Sequence, residues 1–273
     1  MRDELRRRIE ARLGLDAPEV VEIDEGWDSV VFEVGGEWIV RVPRREEVRE
    51  SVALEARLLA ELAPVVPAPV PRFDVVEDAD GVFFVAYRKL TGEPLRDPAP
   101  VLAPQLAAFL AALHGFPPER ARAIGMPPQA DVIERCRGEV LPLLERGERR
   151  RAEALFDRFV SLGPTEPRLV HADLGSAHIL QRRSELTGVI DWSDACLGDP
   201  ALDFAWLLHG AGEAFATNLL QVYRRERDED PRLHERALFY HRLGPWHEVL
   251  FGLEHGRAEF VETGLEGIRS RLP

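Results

Sequence analysis

Three side chains between Leu169 and Trp206 have the residue types and the spacing that phosphoryl transfer requires. Asp173 lies in a polar loop after a short apolar stretch, His178 follows five residues later, and Asp191 ends a second apolar stretch. One carboxylate within hydrogen-bond reach can accept the proton of an attacking hydroxyl, and we assign this role to Asp173. A divalent metal, held by a carboxylate and by substrate phosphates, neutralises charge on the phosphate, and we assign Asp191 and His178 to Mg²⁺.

The order of these residues matches the template of protein kinases. Those enzymes use a catalytic Asp, a metal-binding Asn five residues later and a downstream Asp that holds magnesium. His178 replaces the Asn, and imidazole is a softer ligand than magnesium prefers, so direct ligation, ligation through water and phosphate binding all stay open. A structural role for each residue also stays open, as does a transition-metal hydrolase site formed by His171, Asp173, His178 and Asp191.

The sequence upstream predicts an element that could cover phosphates. Apolar stretches at 30–34 and 38–42 are joined by Gly35-Gly36, which indicates a β-hairpin with a loop before it. That loop has one glycine where protein kinases use three, so a close approach of its backbone to phosphate is in doubt. The candidate nucleotide-contacting residues of the loop are Gly26, Asp28 and Ser29.

A buried ion pair is predicted behind the hairpin. Apolar residues recur every three or four positions from Val48 to Leu62, which predicts a helix over 46–62 with Glu55 on its apolar stripe. A buried carboxylate is costly unless a cation pairs with it, and Arg41 on the second strand is the expected partner. The guanidinium of Arg41 could also contact phosphate. The alternative is that Glu55 reaches solvent from the edge of the stripe.

Several motifs occur together in a recognisable order. They are GWDSVVFEVGGEWIVRVPR, LEARLL, AYRKLTGEPL, LAALH, HADLGSAHIL, GVIDWSDA and GDPALDFAWLL. From about Gly26 to its C-terminus the chain resembles the aminoglycoside phosphotransferase family. His178 and the Asp-Ser after Gly26 are similar to the aminoglycoside 2″-phosphotransferases, and the macrolide phosphotransferases also carry that histidine.

The resemblance implies an α+β, bilobal protein-kinase-like fold. Residues 1–90 would form a nucleotide-binding lobe with an antiparallel sheet and one main helix, 91–100 a connector, and 101–273 a mostly helical lobe with the catalytic hairpin and the substrate site. By the same resemblance, the main chain around Ala86, Tyr87 and Arg88 would bind the purine edge. Backbone contacts leave little residue signature, so the sequence does not distinguish ATP from GTP.

The acceptor side is less defined by the sequence. Trp246, His247 and Glu248 follow Gly244-Pro245, which we expect to interrupt a helix. An amine-rich sugar could stack on Trp246 and pair with acidic groups, whereas the alternative is a core Trp246 beside a solvated acidic face. The full set of acceptor candidates is Asp194, Glu213, Glu235, Trp246, His247 and Glu248.

Two other polar residues are expected to have structural roles. His114 ends an apolar helix and is predicted to be a helix-end or core histidine. Asp203, which lies between two apolar residues, is predicted to brace the catalytic loop through hydrogen bonds.

Length and composition agree with an enzyme of this type. The chain has 273 residues, and its hydrophobic fraction of 45% excludes disorder. Its net charge of −13 disfavours nucleic acid as a partner. No stretch has the length of a membrane span, and the N-terminus has the pattern of a charged helix, which differs from a signal peptide. The two cysteines lack metal-site spacing. We therefore expect a cytoplasmic protein. We expect a monomer, with a dimer as the alternative.

The leading hypothesis is a small-molecule kinase that uses ATP or GTP with Mg²⁺ to phosphorylate a hydroxyl of an aminoglycoside-like acceptor. The partners would be a nucleotide and a small cationic or polyhydroxyl substrate. The alternatives are a macrolide or metabolite kinase of the same family, a catalytically silent nucleotide-binding module and, less compatible with Arg41 and Glu55, a transition-metal hydrolase.

Overall fold

The computed structural model describes residues 3–24, 29–79, 81–96, 98–227 and 230–273. The N-terminal part is an antiparallel sheet with two helices, and the C-terminal part is mostly helical. This is the α+β class predicted from the sequence. Among the described helices, none combines the length and the apolar character needed to cross a bilayer.

The N-terminal sheet contains five described strands in the order β1-β2-β3-β5-β4, and each neighbouring pair is antiparallel. Its elements are α1 (Asp3–Leu13), β1 (Val20–Asp24), β2 (Ser29–Val34), β3 (Trp38–Pro43), α2 (Glu46–Leu62), β4 (Phe73–Ala79) and β5 (Val82–Arg88). Strands β2 and β3 form the predicted hairpin. Gly35 and Gly36 have φ values of 61° and 71° in its turn, a conformation that glycine adopts without steric cost.

The two helices pack on opposite faces of this sheet because successive side chains of a strand point to opposite sides. Ile9 of α1 packs in a cluster with Val40 and Phe84, whereas Val52 of α2 packs with Val85 on the other face. Helix α2 has the bounds predicted from its periodicity.

The C-terminal part surrounds the predicted catalytic hairpin, residues 179–189, with helices. Its helices are α3 (Leu102–His114), α4 (Pro118–Ile124), α5 (Ile133–Arg135), α6 (Arg146–Ser161), α7 (Ala201–His209), α8 (Glu213–Glu226), α9 (Leu233–His255) and α10 (Ala258–Arg271). Its strands are β6 (Glu93–Pro94), β7 (Arg168–Val170), β8 (Ile179–Arg182), β9 (Glu185–Val189) and β10 (Cys196–Gly198). Strands β6, β8 and β9 form one small sheet, and β10 pairs with β7 in another.

Helix α9 corrects one prediction, because it continues through Pro245 without the expected interruption. Proline lacks the N–H that would bond the carbonyl four residues earlier, which here belongs to His241. Arg271 of α10 donates from Nη1 to that carbonyl at 2.6 Å. Gly264 and Gly267 let α10 approach closely, since a Cβ at either position would lie within 2.9 Å of Pro245 atoms. The helix therefore tolerates its proline through contacts with α10.

Candidate active site

The catalytic hairpin brings the three predicted residues together. Asp173 lies exposed in the loop after β7, His178 ends a short 3₁₀ turn before β8, and Asp191 follows β9. His178 Nδ1 lies 3.5 Å from Asp173 Oδ2, and His178 Nε2 lies 3.6 Å from Asp191 Oδ2. The imidazole thus stands between the two carboxylates. Residues separated by almost twenty positions along the chain meet here because β8 and β9 pair as a hairpin.

The main chain determines the tautomer of His178. Its Nδ1 is 2.7 Å from the carbonyl oxygen of Asp173, and a carbonyl can only accept. Nδ1 therefore carries the hydrogen. In the neutral ring Nε2 then presents a lone pair toward Oδ2 of Asp191. Two electron-rich atoms that face each other in this way favour a cation bound between them.

Buried polar groups form hydrogen bonds with the loop that carries Asp173. Asp203 of α7 accepts hydrogen bonds from the backbone N–H of His171 at 3.0 Å and of Ala172 at 2.9 Å. His114 Nε2 lies 3.1 Å from the same carboxylate, and its Nδ1 lies 2.8 Å from the Tyr223 hydroxyl. These contacts confirm the bracing role predicted for Asp203 and the core position predicted for His114.

His171 links the segment before Asp173 to the residue before Asp191 through a hydrogen bond. Its Nε2 donates to the carbonyl of Ile190 at 3.0 Å, next to Asp191, and burial lowers the pKa of the ring so that it stays neutral. Ala172 and Asp191 have φ values of 69° and 63°, which are uncommon for residues other than glycine. Such strained positions cluster at functional sites.

The predicted ion pair joins β3 to α2. Arg41 Nη1 donates to Glu55 Oε1 at 2.8 Å and to Oε2 at 2.9 Å. Burial raises the pKa of Glu55, while the charge of Arg41 and a hydrogen bond to the Trp192 main chain favour the ionised form. Glu55 therefore contacts both the sheet and the segment that follows Asp191.

Asp191 lies in a positive environment. Burial alone would raise its pKa, but the charge of Arg41, the neighbouring His178 and a hydrogen bond from Ser193 outweigh burial and lower it. The carboxylate is therefore ionised and available as an acceptor at neutral pH. The charge of Arg41 on β3 thus acts on Asp191, which follows β9.

The open face of the sheet is apolar beside Arg41. Val31 pairs with Arg41 in the β2–β3 register, and Ile39 lies two positions before it on the same face. Val21 and Ile23 of β1 are 45% and 48% exposed at the edge of the same sheet. The cleft thus offers an apolar surface next to a cation.

The predicted purine-contacting residues lie at the end of β5. The side chain of Ala86 is in the sheet core, Tyr87 is buried against Phe73, and the guanidinium of Arg88 lies 4.1 Å from the Trp38 ring centroid. Their side chains are thus engaged in contacts within the sheet, and the main chain of Ala86 and Tyr87 pairs with both neighbouring strands, β3 and β4. Lys89, the next residue, donates its N–H to the Glu37 carbonyl at 2.8 Å.

The phosphate loop is described only at its end. Gly26 and Asp28 lie outside the described residues. Ser29 is buried, and its hydroxyl has no hydrogen-bond partner among the described residues.

A scan against family models matches residues 19–239 to the phosphotransferase enzyme family. The chain belongs to this family. Among curated relatives, viomycin phosphotransferase of Streptomyces vinaceus is 26% identical over 202 residues, which are 68% of this chain and 69% of the relative.

Solved structures of phosphotransferases share the whole fold. The GDP and kanamycin complex of an aminoglycoside 2″-phosphotransferase has a TM-score of 0.88 and 25% identity, covering 99% of this chain and 98% of the other. Macrolide 2′-phosphotransferase MphH of Brachybacterium faecium has a TM-score of 0.78 and 28% identity, covering 96% of each chain. The resemblance inferred from motifs is confirmed, and this chain is a phosphotransferase of that family.

One acceptor candidate of this phosphotransferase, Trp246, was wrongly assigned, and a second, Glu235, is engaged in an ion pair. Trp246 is 1% exposed and packs edge-on against Phe156 at 4.9 Å between ring centroids, so no sugar can stack on it. Glu235 forms an ion pair with Arg158 of α6, with Nε and Oε1 2.6 Å apart. Both residues serve the packing of α6 on α9.

The other acceptor candidates differ in their position. His247 is exposed by surface area but has protein on most sides, and this burial lowers its pKa while the charge of Asp173 acts in the opposite direction. His247 is thus electrostatically coupled to Asp173. Asp194 and Glu213 are exposed and Glu248 is half-buried, and no contact described for them joins them to Asp173.

Some residues of this phosphotransferase were missed by sequence reasoning. Ser193 hydrogen-bonds Asp191, and a serine two positions after an acid carries no distinct signal. Arg236 is buried and pairs from Nη1 with Asp199 and from Nε with Asp230, each at 3.1 Å. An arginine within an amphipathic helix is usually exposed, so its burial could not be read from the periodicity.

Proposed function

We propose that this phosphotransferase transfers the γ-phosphate of ATP or GTP to a hydroxyl of an aminoglycoside-like acceptor. The observation that carries the proposal is the placement of His178 between the Asp173 and Asp191 carboxylates, at 3.5 and 3.6 Å. Two acids with separate surroundings can take separate roles in one reaction. Asp173 is exposed, and Asp191 faces Arg41.

In this proposal Asp173 is the general base. Its side chain is open to solvent, so an acceptor hydroxyl can reach it. Its loop is fixed by the Asp203 bonds to two backbone N–H groups, which keeps the carboxylate in one position. Phosphoryl transfer depends mainly on such positioning, because the protein does little covalent chemistry.

Asp191 and His178 fit a magnesium–nucleotide complex. A carboxylate oxygen is a ligand that magnesium prefers, and the lone pair of His178 Nε2 faces that oxygen at 3.6 Å. When bound, the metal would neutralise charge on the phosphates. The residues described do not include three or more histidine, cysteine or acidic side chains arranged as a transition-metal site, which is what a hydrolase would need.

The nucleotide would bind between the sheet and the hairpin. Arg41 presents its guanidinium toward Asp191 and could contact phosphate while it stays paired with Glu55. The apolar face around Val31 and Ile39 would cover the base, and the main chain from Ala86 to Arg88 would bind its edge. Gly26, Asp28 and Ser29 are proposed to approach the phosphates.

The acceptor would lie on the exposed side of Asp173. The remaining candidates for contacts with it are His247, on whose pKa the Asp173 charge acts, and the acids Asp194, Glu213, Glu235 and Glu248, which could bind amino groups. The loss of Trp246 from this set, together with the macrolide phosphotransferase neighbour, makes a macrolide-like acceptor the second candidate.

An acceptor panel tests the proposal. Purified protein with Mg²⁺ and either ATP or GTP would be mixed with kanamycin-like and gentamicin-like sugars, with macrolides, or with no acceptor, and nucleoside diphosphate release measured. We expect release that depends on an acceptor. Asp173→Asn should lower kcat about 10²–10⁴-fold with unchanged nucleotide affinity, because an amide cannot accept the proton.

Asp157→Asn is a matched control, since Asp157 is an exposed acid that pairs with Arg137 on the surface. It should leave kcat unchanged. Full turnover by Asp173→Asn would contradict the assigned base. Nucleotide binding without turnover of any acceptor would support the silent binding module instead.

A further inference from the structure

The two oxygens of Asp191 have different partners. Oδ1 accepts a hydrogen bond from the Ser193 hydroxyl at 3.0 Å, and Oδ2 faces His178 Nε2 at 3.6 Å. Rotation about the Cβ–Cγ bond can exchange the positions of the two oxygens of an aspartate carboxylate. The Ser193 bond holds Oδ1, so Oδ2 stays directed at His178.

We propose that Ser193 is a positioning residue that orients Asp191 for metal binding. This inference rests on the proposed function, because it assigns the metal to Asp191 and His178. Partners of metal ligands commonly set ligand orientation, and their loss weakens metal affinity or activity about 10–100-fold. Ser193 is such a partner for the one carboxylate proposed here to bind the cation.

The surrounding chain keeps Ser193 in place without its hydroxyl. Trp192 is fully buried and donates from its indole N–H to the Val189 carbonyl at 3.0 Å, and the Ala195 N–H donates to the Trp192 carbonyl at 3.1 Å. These contacts fix the backbone on both sides of Ser193. Asp191 has a φ of 63° and belongs to no helix or strand. Because no regular element orients its side chain, the carboxylate needs a separate restraint.

A purely structural role for the Ser193 hydroxyl is disfavoured by its location. The residue is exposed, so its removal would leave no internal cavity and no buried unsatisfied group. Loss of the hydroxyl should therefore alter the orientation of Asp191 while folding stability stays nearly constant. Metal affinity and thermal stability can then separate the two roles.

The test compares Ser193→Ala with Ser193→Thr, which keeps a hydroxyl at the same position. Mn²⁺ serves as the probe, and its dissociation constant is measured by electron paramagnetic resonance on the full chain with saturating ADP. We expect binding to weaken about 10-fold in Ser193→Ala and to stay near the original value in Ser193→Thr. The magnesium concentration for half-maximal activity should rise in parallel, while the acceptor KM and the melting temperature stay unchanged.

Asp191→Asn separates this proposal from the proposed function. If Asp191→Asn loses Mn²⁺ binding and Ser193→Ala keeps it, the role of Ser193 is wrong and the metal assignment stands. If Asp191→Asn keeps full Mn²⁺ affinity, the metal assignment itself is wrong. Weak binding in both Ser193→Ala and Ser193→Thr would also overturn the proposal, since the hydroxyl would then not be the cause.

Discussion

At the scale of single residues, Arg41 and Glu55 show how one ion pair can serve both folding and binding. Their side chains are only 12% and 2% exposed, so each charge depends on the other. A buried pair adds little net stability over apolar residues, whereas removal of one partner leaves an uncompensated charge. The pair is thus better explained by a need for a cation in the cleft than by stability.

This view predicts different effects for single and double substitutions. Arg41→Met should lower the free energy of unfolding by about 3–5 kcal/mol, because Glu55 would stay buried without a partner. Arg41→Met combined with Glu55→Leu should recover most of that stability, but nucleotide affinity should stay low in both proteins. Chemical denaturation and calorimetric titration with GDP and ADP would measure these quantities. Recovery of nucleotide affinity in the double variant would contradict a phosphate-binding role for Arg41.

At the scale of elements, α9 keeps its proline because α10 supplies the missing hydrogen bond. Arg271→Met should destabilise the protein by about 0.5–1.5 kcal/mol, since it removes the Arg271 donor from the His241 carbonyl at an exposed site. The loss should be smaller when Pro245→Ala is also present, because alanine restores the backbone N–H. Arg269→Met, which removes a surface pair with Glu148, is the control and should cost less than about 1 kcal/mol. Equal losses for Arg271→Met with and without Pro245→Ala would refute the explanation.

The turn of the catalytic hairpin makes a second prediction for an element. Arg183 and Ser184 have φ values of 51° and 67°, which is the conformation of a two-residue turn that favours Asn-Gly. Ser184→Gly should stabilise the protein by about 1 kcal/mol, because glycine adopts positive φ without the Cβ clash. Thermal unfolding would measure the gain, and kcat should not change. A lower melting temperature would show that other contacts of Ser184 matter more.

Sequence reasoning succeeded for elements whose pattern is local. The bounds of α2 and the pairing of Arg41 with Glu55 follow from one helix stripe and one strand alternation, both of which are visible along the chain. Trp246 was misassigned because its surroundings come from α6, which lies far away in the sequence. The continuity of α9 likewise depends on Arg271, a donor from another helix. Local chemistry was therefore predictable, and partners brought by tertiary packing were not.

At the scale of the whole molecule, a histidine cluster lies between helix α7 and helix α9. The ring centroid of His209 is 4.9 Å from that of His234 and 5.6 Å from that of His241. Burial lowers the pKa of His209 to about 4, and the neighbouring histidines and Arg242 act in the same direction. Helix α7 also carries Asp203, which hydrogen-bonds the backbone of His171 and Ala172.

The cluster predicts acid sensitivity of the entire fold. Between pH 6.5 and about 4 the unfolded chain binds a proton at His209 that the folded chain does not, so the free energy of unfolding must fall as pH decreases. Since the ring is only half-buried, solvent screening should limit this loss to about 1–2 kcal/mol. His209→Asn cannot titrate, so its melting temperature should decline less over this interval than that of the unsubstituted protein. His255→Asn, at an exposed helix end, should retain the full decline, and parallel curves for all three proteins would mean that protonation of His209 does not govern acid stability.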